Sequence, residues 1–334
     1  MKVFQTLNIG HIQTPFRWDQ LWLNEGFAVW LSHLACEQLE PAIHSWSWLL
    51  VRRVQRALKI DATSESWSLS GPVTSRSDIH RKFGEITYSK GGGVIRMMEM
   101  VLGREALISG LSTYLNAFQY SNTVEEQLFS HLEAAGEIHG TWPQEGVEDF
   151  ATTMKTWTDQ AGFPLVYASR APGGEVILNQ TWFTSEEKLE ERQWQIPVTW
   201  VEVNVTDWED AKPKVWMTSQ SLTLEENNFS SPDTLVLLNT LAVGYYRVHY
   251  DEVTWLRISE QLAREHKAIH PLQRAAIICD VVSLAKEDQG LLSQELKEAV
   301  LSYRDKEEDF APLMAFRECV DDGLDRGETL SHPH

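Results

Sequence analysis

Glu25 stands in Trp22-Leu23-Asn24-Glu25-Gly26-Phe27-Ala28, where Phe27, Trp30, Leu31 and Leu34 recur at helical spacing. A carboxylate in a first helical turn is stabilised by the positive end of the helix dipole, which alone can account for one acid there. Tyr88 stands in Phe83-Gly84-Glu85-Ile86-Thr87-Tyr88-Ser89-Lys90-Gly91. A phenol about 3 Å from a developing oxyanion contributes a few kcal/mol to a transition state; with no oxyanion to serve it is a partly buried ring. Gly91-Gly92-Gly93 lacks a following Gly-Lys-Ser/Thr, so it reads as a turn or tight helix start and not a phosphate loop. His266 and His270 have the four-residue spacing that puts two imidazoles on one helix face. Lys267 occupies the place of a general base and Pro271 stops the helix, so the spacing reads as coincidence. His11 and His44 read as surface or packing histidines.

The elements that position these groups begin with helices: 21–40, stopped by Pro41, then 94–101, 105–118 and 124–135, with an irregular polar stretch over 61–78. The pattern changes at Gly162-Phe163-Pro164. Short runs at 176–178, 194–203, 214–217, 234–238 and 245–250, punctuated by clusters such as Ala171-Pro172-Gly173-Gly174, predict an antiparallel β-sandwich. Helical periodicity returns over 256–262, 272–286, 296–303 and 310–320, as in stacked antiparallel helix pairs. The fold class expected is multidomain α+β, divided at 1–163, 164–251 and 252–334. A solenoid stopping at residue 334 would expose an uncapped face, so the pattern predicts a truncated chain.

Among 334 residues, 29 Lys+Arg face 48 Asp+Glu, a formal charge of −19. Phosphate binding needs a basic surface, so nucleic acid is excluded as a partner. No apolar stretch is long enough for a transmembrane segment, and the first residues lack the apolar run of a signal peptide. Cys36, Cys279 and Cys319 are too scattered for a zinc knuckle and read as buried or free thiols. Sequons at Asn179, Asn204 and Asn228 favour an exported compartment weakly, because such triplets also arise by chance. The 14 tryptophans read as core filling, and Glu186-Glu187 to Glu191 and Glu307-Glu308-Asp309 as solvated faces or loops.

Several motifs, in order, resemble the aminopeptidase N family of zinc metallopeptidases. The segment around Glu25 is similar to the family's third-zinc-ligand motif, and 83–91 to its F-D-x-I-x-Y-x-K-G segment. Thr156-Trp157-Thr158-Asp159-Gln160-Ala161-Gly162-Phe163-Pro164 resembles the exit from its catalytic domain, and Gly244-Tyr245-Tyr246-Arg247-Val248-His249-Tyr250-Asp251 its G-Y-Y-R-V-N-Y-D strand. Arg274-Ala275 with Asp280 and Leu284 resembles the opening of its helical C-terminal domain. The resemblance implies the helical C-terminal half of a thermolysin-like catalytic domain, then a β-sandwich, then the start of an α-helical solenoid. It implies Glu25 as a zinc ligand, Tyr88 as oxyanion donor, peptide substrates cut at their N-termini and, as in some relatives, a homodimer. With the sequons it favours an extracellular or membrane-associated location.

The departures are equally specific. Gly84 stands where the family has Asp, and Pro15-Phe16-Arg17-Trp18 where it has M-E-W-W. Counting back from Glu25, the zinc histidines of H-E-x-x-H fall at Lys2 and Thr6 and its general-base Glu at Val3. Catalytic zinc needs three protein ligands and a base for its water. The expectation is an aminopeptidase-type chain that neither holds zinc tightly nor turns over. The alternative is a non-catalytic peptide- or partner-binding remnant.

Overall fold

The computed structural model describes residues 13–15 (backbone only), 18–184, 192–203, 208, 210–286 and 291–321. Lys2, Val3, Thr6, His11, Phe16, Arg17, Asn204, the 186–191 acidic run and the C-terminal residues 322–334 lie outside the described residues.

The fold is mixed α+β. β1 (Gln13–Pro15) precedes α1 (Trp22–Leu39), whose Trp22, Phe27, Trp30 and Leu34 are buried, and which ends ahead of Pro41. α2 (residues 45–61) passes through a π-helical turn at Leu49–Val54. α3 (Arg76–Lys82) opens on a reciprocal Ser75–Asp78 cap. The π-helical turn Ile86–Lys90 runs straight into α4 (Gly91–Leu102) with helical backbone throughout, so the three glycines lie inside a continuous helical stretch and not at the turn or helix start expected. α5 (Arg104–Ala117), β2 (Ser121–Thr123), α6 (Glu125–His139) and α7 (Phe150–Thr158) follow. β1 pairs with β2 in parallel, a contact between residues more than 100 positions apart that no local pattern announces.

Eight strands come next: β3 (Pro164–Arg170), β4 (Val176–Trp182), β5 (Ile196–Val198), β6 (Trp200–Glu202), β7 (Val215–Met217), β8 (Ser221–Leu224), β9 (Val236–Leu238) and β10 (Arg247–Tyr250). They form a four-stranded sheet in the order β10-β3-β4-β8 and two pairs, β5-β7 and β6-β9. The expectation of purely antiparallel pairing is corrected here, because β10 lies parallel to β3. β9 belongs to another sheet, so the chain crosses between sheets before β10, and the hairpin that would force an antiparallel partner is absent.

The chain then returns to helices: α8 (Glu252–Glu265), α9 (Pro271–Leu284), α10 (Gln294–Leu301) and α11 (Phe310–Ala315), the last continuing into a π-helical turn Phe316–Asp321. Two expectations fail in this part. Cys279 and Cys319 are joined in a disulfide with Cα atoms 5.3 Å apart, and only Cys36 is free. Glu307 is not solvated: it is buried and receives two hydrogen bonds from the equally buried Arg274, at 2.8 and 2.9 Å. A sequence shows acidic residues but not the distant guanidinium that removes one of them from water.

A single contiguous core draws on α1, α2, α4 to α7, the strands β3 to β10 and α8 to α11. Trp22, Trp30, Trp157, Trp194 and Trp255 are fully buried in it, in keeping with the packing role expected for tryptophan.

Candidate functional site

Glu25 lies in the first turn of α1, and Tyr88 in the π-helical turn ahead of α4. They meet because the two helices touch backbone to backbone. A methyl at Gly26 would stand 2.9 Å from the Gly91 carbonyl carbon, and one at Gly92 would stand 2.8 Å from Val29 Cγ1. Glycine inside a helix costs about 1 kcal/mol relative to alanine, and here that cost is offset by an approach no larger residue permits. The Tyr88 phenol lies close enough to the Glu25 carboxylate for that charge to act on it. Burial first, then the Glu25 charge, raise the phenol above its ordinary pKa, so it is protonated at neutral pH. Both side chains remain partly exposed.

Two residues beyond Tyr88, Lys90 is fully buried and fixes the turn. Its ammonium pairs with Asp61 Oδ2 at 3.0 Å, donates to the Gly162 carbonyl at 2.9 Å and lies 5.5 Å from the centre of the Tyr245 ring. Asp61 also accepts from the Gly162 amide at 2.9 Å and from the Tyr245 hydroxyl at 3.3 Å. α2, the turn bearing Tyr88, the start of the strands and the Tyr245 segment are thus tied at one charged node. Burial lowers the Lys90 pKa against the opposing pull of Asp61.

A second polar cluster underlies the start of α1. Trp22 Nε1 donates to Ser70 Oγ at 2.9 Å, and Ser70 Oγ donates to Glu125 Oε2 at 2.5 Å. Burial pushes the Glu125 carboxyl up to about 7, with the Asp159 and Glu126 charges adding to it and the Ser70 hydrogen bond opposing. Lys82 Nζ is held by the carbonyls of Ser68 at 3.0 Å, Leu69 at 2.9 Å and Asp19 at 3.4 Å. Its burial brings it down to about 8. The sequence does not single out Ser70, Lys82 or Glu125, because each lies in a different local segment. Lys90 stands in a quoted motif, but a lone lysine gives no signal of a buried carboxylate 29 positions upstream.

Gly84, the departure from the family pattern, has a structural companion. A Cβ there would lie 2.9 Å from the Trp67 indole and 3.1 Å from the Arg81 carbonyl oxygen. The place where the family carries Asp is filled by that indole, over which the Arg81 guanidinium sits at 5.0 Å.

The His266/His270 pair does not share a helix face. His266 lies in a 3-10 turn after α8, against the Tyr303 ring at 5.6 Å, and His270 caps α9 by accepting from the Leu272 amide at 3.2 Å. His44 stacks on Phe310 at 5.4 Å. Among the described residues, no three His, Cys, Asp or Glu side chains gather closely enough to hold a metal ion.

Comparison with known proteins agrees with the motif order. Residues 9–157 match the Peptidase family M1 domain, and residues 235–321 match the ERAP1-like C-terminal domain. The chain is 32% identical to human aminopeptidase N over 280 residues, which is 83% of this chain and 28% of that protein. It is 30% identical to the membrane alanyl aminopeptidase of Manduca sexta over 315 residues, which is 92% of this chain and 31% of that protein. It therefore spans under a third of the length of these relatives. The M1 aminopeptidases are zinc metallopeptidases. On these matches and the ordered motifs, the chain belongs to the M1 peptidase family.

Proposed function

We propose that this chain is an aminopeptidase N-like metallopeptidase chain that keeps one carboxylate and one phenol of the family's centre, and that alone it is inactive. The family reaction is zinc-dependent hydrolytic release of N-terminal amino acids from peptides. Glu25 would be the metal-facing carboxylate and Tyr88 the donor to an anionic oxygen. The observation that carries the proposal is the backbone-to-backbone contact of α1 with α4 at Gly26, Gly91 and Gly92, which brings Tyr88 within the influence of the Glu25 charge.

The donor set does not fit the zinc ion that the family implies. A catalytic zinc takes three protein ligands and an open position. Glu25 supplies one donor. At the positions of the two histidines and the general base stand Lys2, Thr6 and Val3, none of which can take those roles. Loss of even one ligand lowers metal affinity severely. The same proposal reads 1–163 as part of a thermolysin-like domain, 164–251 as the β-sandwich and 252–334 as the start of the helical solenoid. It takes the homodimer of some relatives as a further expectation, measurable by light scattering.

The test is hydrolysis of an amino-acid arylamide by the full chain with zinc supplied. No turnover above the uncatalysed rate is expected, and turnover abolished by a chelator would overturn the inactive reading. The alternative, binding without catalysis, is favoured by one feature. Trp18 and Phe83, each about half exposed, pair at 6.1 Å between ring centres. If these rings bind peptide, Trp18→Ala should weaken binding measured by calorimetry.

A further inference from the structure

The sheet and the disulfide point together to a covalent modification. Asn179 is exposed at the middle of β4, while its neighbours Leu178 and Gln180 face inward and are buried. By strand register it stands in a row across one face of the four-stranded sheet, Ser221 on β8, Asn179 on β4, Tyr167 on β3 and His249 on β10. Directly opposed residues project to the same face, so the exposed Ser221 leaves room on one side. On the other, Tyr167, packed on His249 at 5.2 Å, offers an aromatic surface to a sugar. Asn228 ends the exposed 3-10 turn Glu226–Asn228. Its Nδ2 donates to the Glu225 carbonyl at 3.0 Å, and Ser230, two residues on, is also exposed. Asn179-Gln180-Thr181 and Asn228-Phe229-Ser230 are both N-x-[ST] acceptor triplets.

The second observation is independent. Cys279 and Cys319 form a disulfide bond. Its formation takes two electrons and two protons from the two thiols, to a disulfide-exchange acceptor that is rare in reducing compartments and supplied in the secretory pathway. A chain whose two acceptor asparagines are exposed and whose fold holds a disulfide has the marks of maturation in that pathway.

We propose that Asn179 and Asn228 are N-glycan acceptors on a chain that matures in an oxidising secretory compartment. In the transfer, the carboxamide nitrogen bonds to the anomeric carbon of an oligosaccharide carried on a lipid pyrophosphate. The sugar–pyrophosphate C–O bond breaks, the lipid pyrophosphate leaves, and the amide gives up one proton. The glycan at Asn179 would cover the outward row of the sheet, and that at Asn228 the turn between β8 and β9.

The test directs the full chain, carrying Asn204→Gln, into the secretory pathway of a eukaryotic host behind a cleaved leader. Endoglycosidase treatment should remove two glycan steps by intact mass, with one lost in Asn179→Gln and one in Asn228→Gln. Thr181→Ser and Ser230→Thr preserve the triplets and should keep both steps, whereas Thr181→Ala and Ser230→Ala should each lose one, which separates lost acceptors from misfolding. Alkylation of the secreted protein should find one free thiol before reduction and three after. An unchanged glycan count in either Asn variant overturns the assignment of that residue, and three free thiols before reduction overturn the compartment.

Discussion

Lys90→Met removes an ammonium from a place without water and leaves the Asp61 carboxylate buried and charged. Both side chains are fully inaccessible, at 0% exposure, and 3.0 Å apart. Removing one member of a buried ion pair costs about 3–5 kcal/mol, because the remaining charge keeps its desolvation and loses its compensation. Asp61 would retain the Gly162 amide, the Tyr245 hydroxyl and the Ser66 hydroxyl as donors, which places the loss toward the lower end. The Gly162 carbonyl loses its donor in the same change, adding about 1 kcal/mol. A total near 3–4 kcal/mol, at a urea m of about 3 kcal/mol/M, moves the midpoint down by about 1 M. Asp61→Asn should cost less, about 1–2 kcal/mol, because the lysine left behind can shed its proton. The double variant should cost less than the sum of the two by about 1–3 kcal/mol. Urea unfolding followed by tryptophan fluorescence and far-ultraviolet dichroism measures all three. A loss below about 1 kcal/mol for Lys90→Met, or strict additivity, would refute the argument that this pair ties the Tyr88 turn to the strands.

Other outcomes follow from the same structure. Glu125 has its folded pKa raised from 4.5 to about 7, so the folded state holds the extra proton between those values. Its stabilising contribution is full below about pH 4.5 and is lost as pH rises through 7. Glu125→Gln should therefore gain stability over the parent at pH 8 and much less at pH 5, by an amount on the order of 2–3 kcal/mol in urea midpoints. Gly84→Asp meets the Trp67 indole at 2.9 Å and should destabilise by about 1–3 kcal/mol, with a shift in tryptophan emission. The disulfide closes a loop across 40 residues of sequence separation, and Cys319→Ser should lower stability by about 2–4 kcal/mol, read as a fall in Tm. Gly26→Ala trades about 1 kcal/mol of helix propensity against a backbone contact at 2.9 Å. It should be net destabilising and should lower the Tyr88 pKa, measured as the difference in ultraviolet titration against Tyr88→Phe.

What could be read in advance was local. The helices at 22–39 and 104–117 announce themselves by apolar spacing and by Pro41 and Gly103, and the strands by short apolar runs between turn clusters. What could not be read joins distant segments. β10 lies beside β3, about 80 positions earlier in the sequence, in a direction set by a crossing between sheets. The glycines at 26 and 91 look like ordinary helix weaknesses until one helix is laid on the other. Cys279 with Cys319, and Arg274 with Glu307, are pairings that spacing leaves open. At the site, Glu25 and Tyr88 were singled out by motif resemblance, whereas Lys90, Asp61, Ser70 and Glu125 required coordinates, because burial gives them their partners.

On the proposed reading, Glu25 is the one carboxylate of a metal centre that this chain retains. Equilibrium dialysis of the full chain against micromolar zinc, followed by elemental analysis, addresses that directly. The account predicts well under one zinc per chain, unchanged by Glu25→Gln. One tightly held zinc per chain, lost in Glu25→Gln, would contradict it.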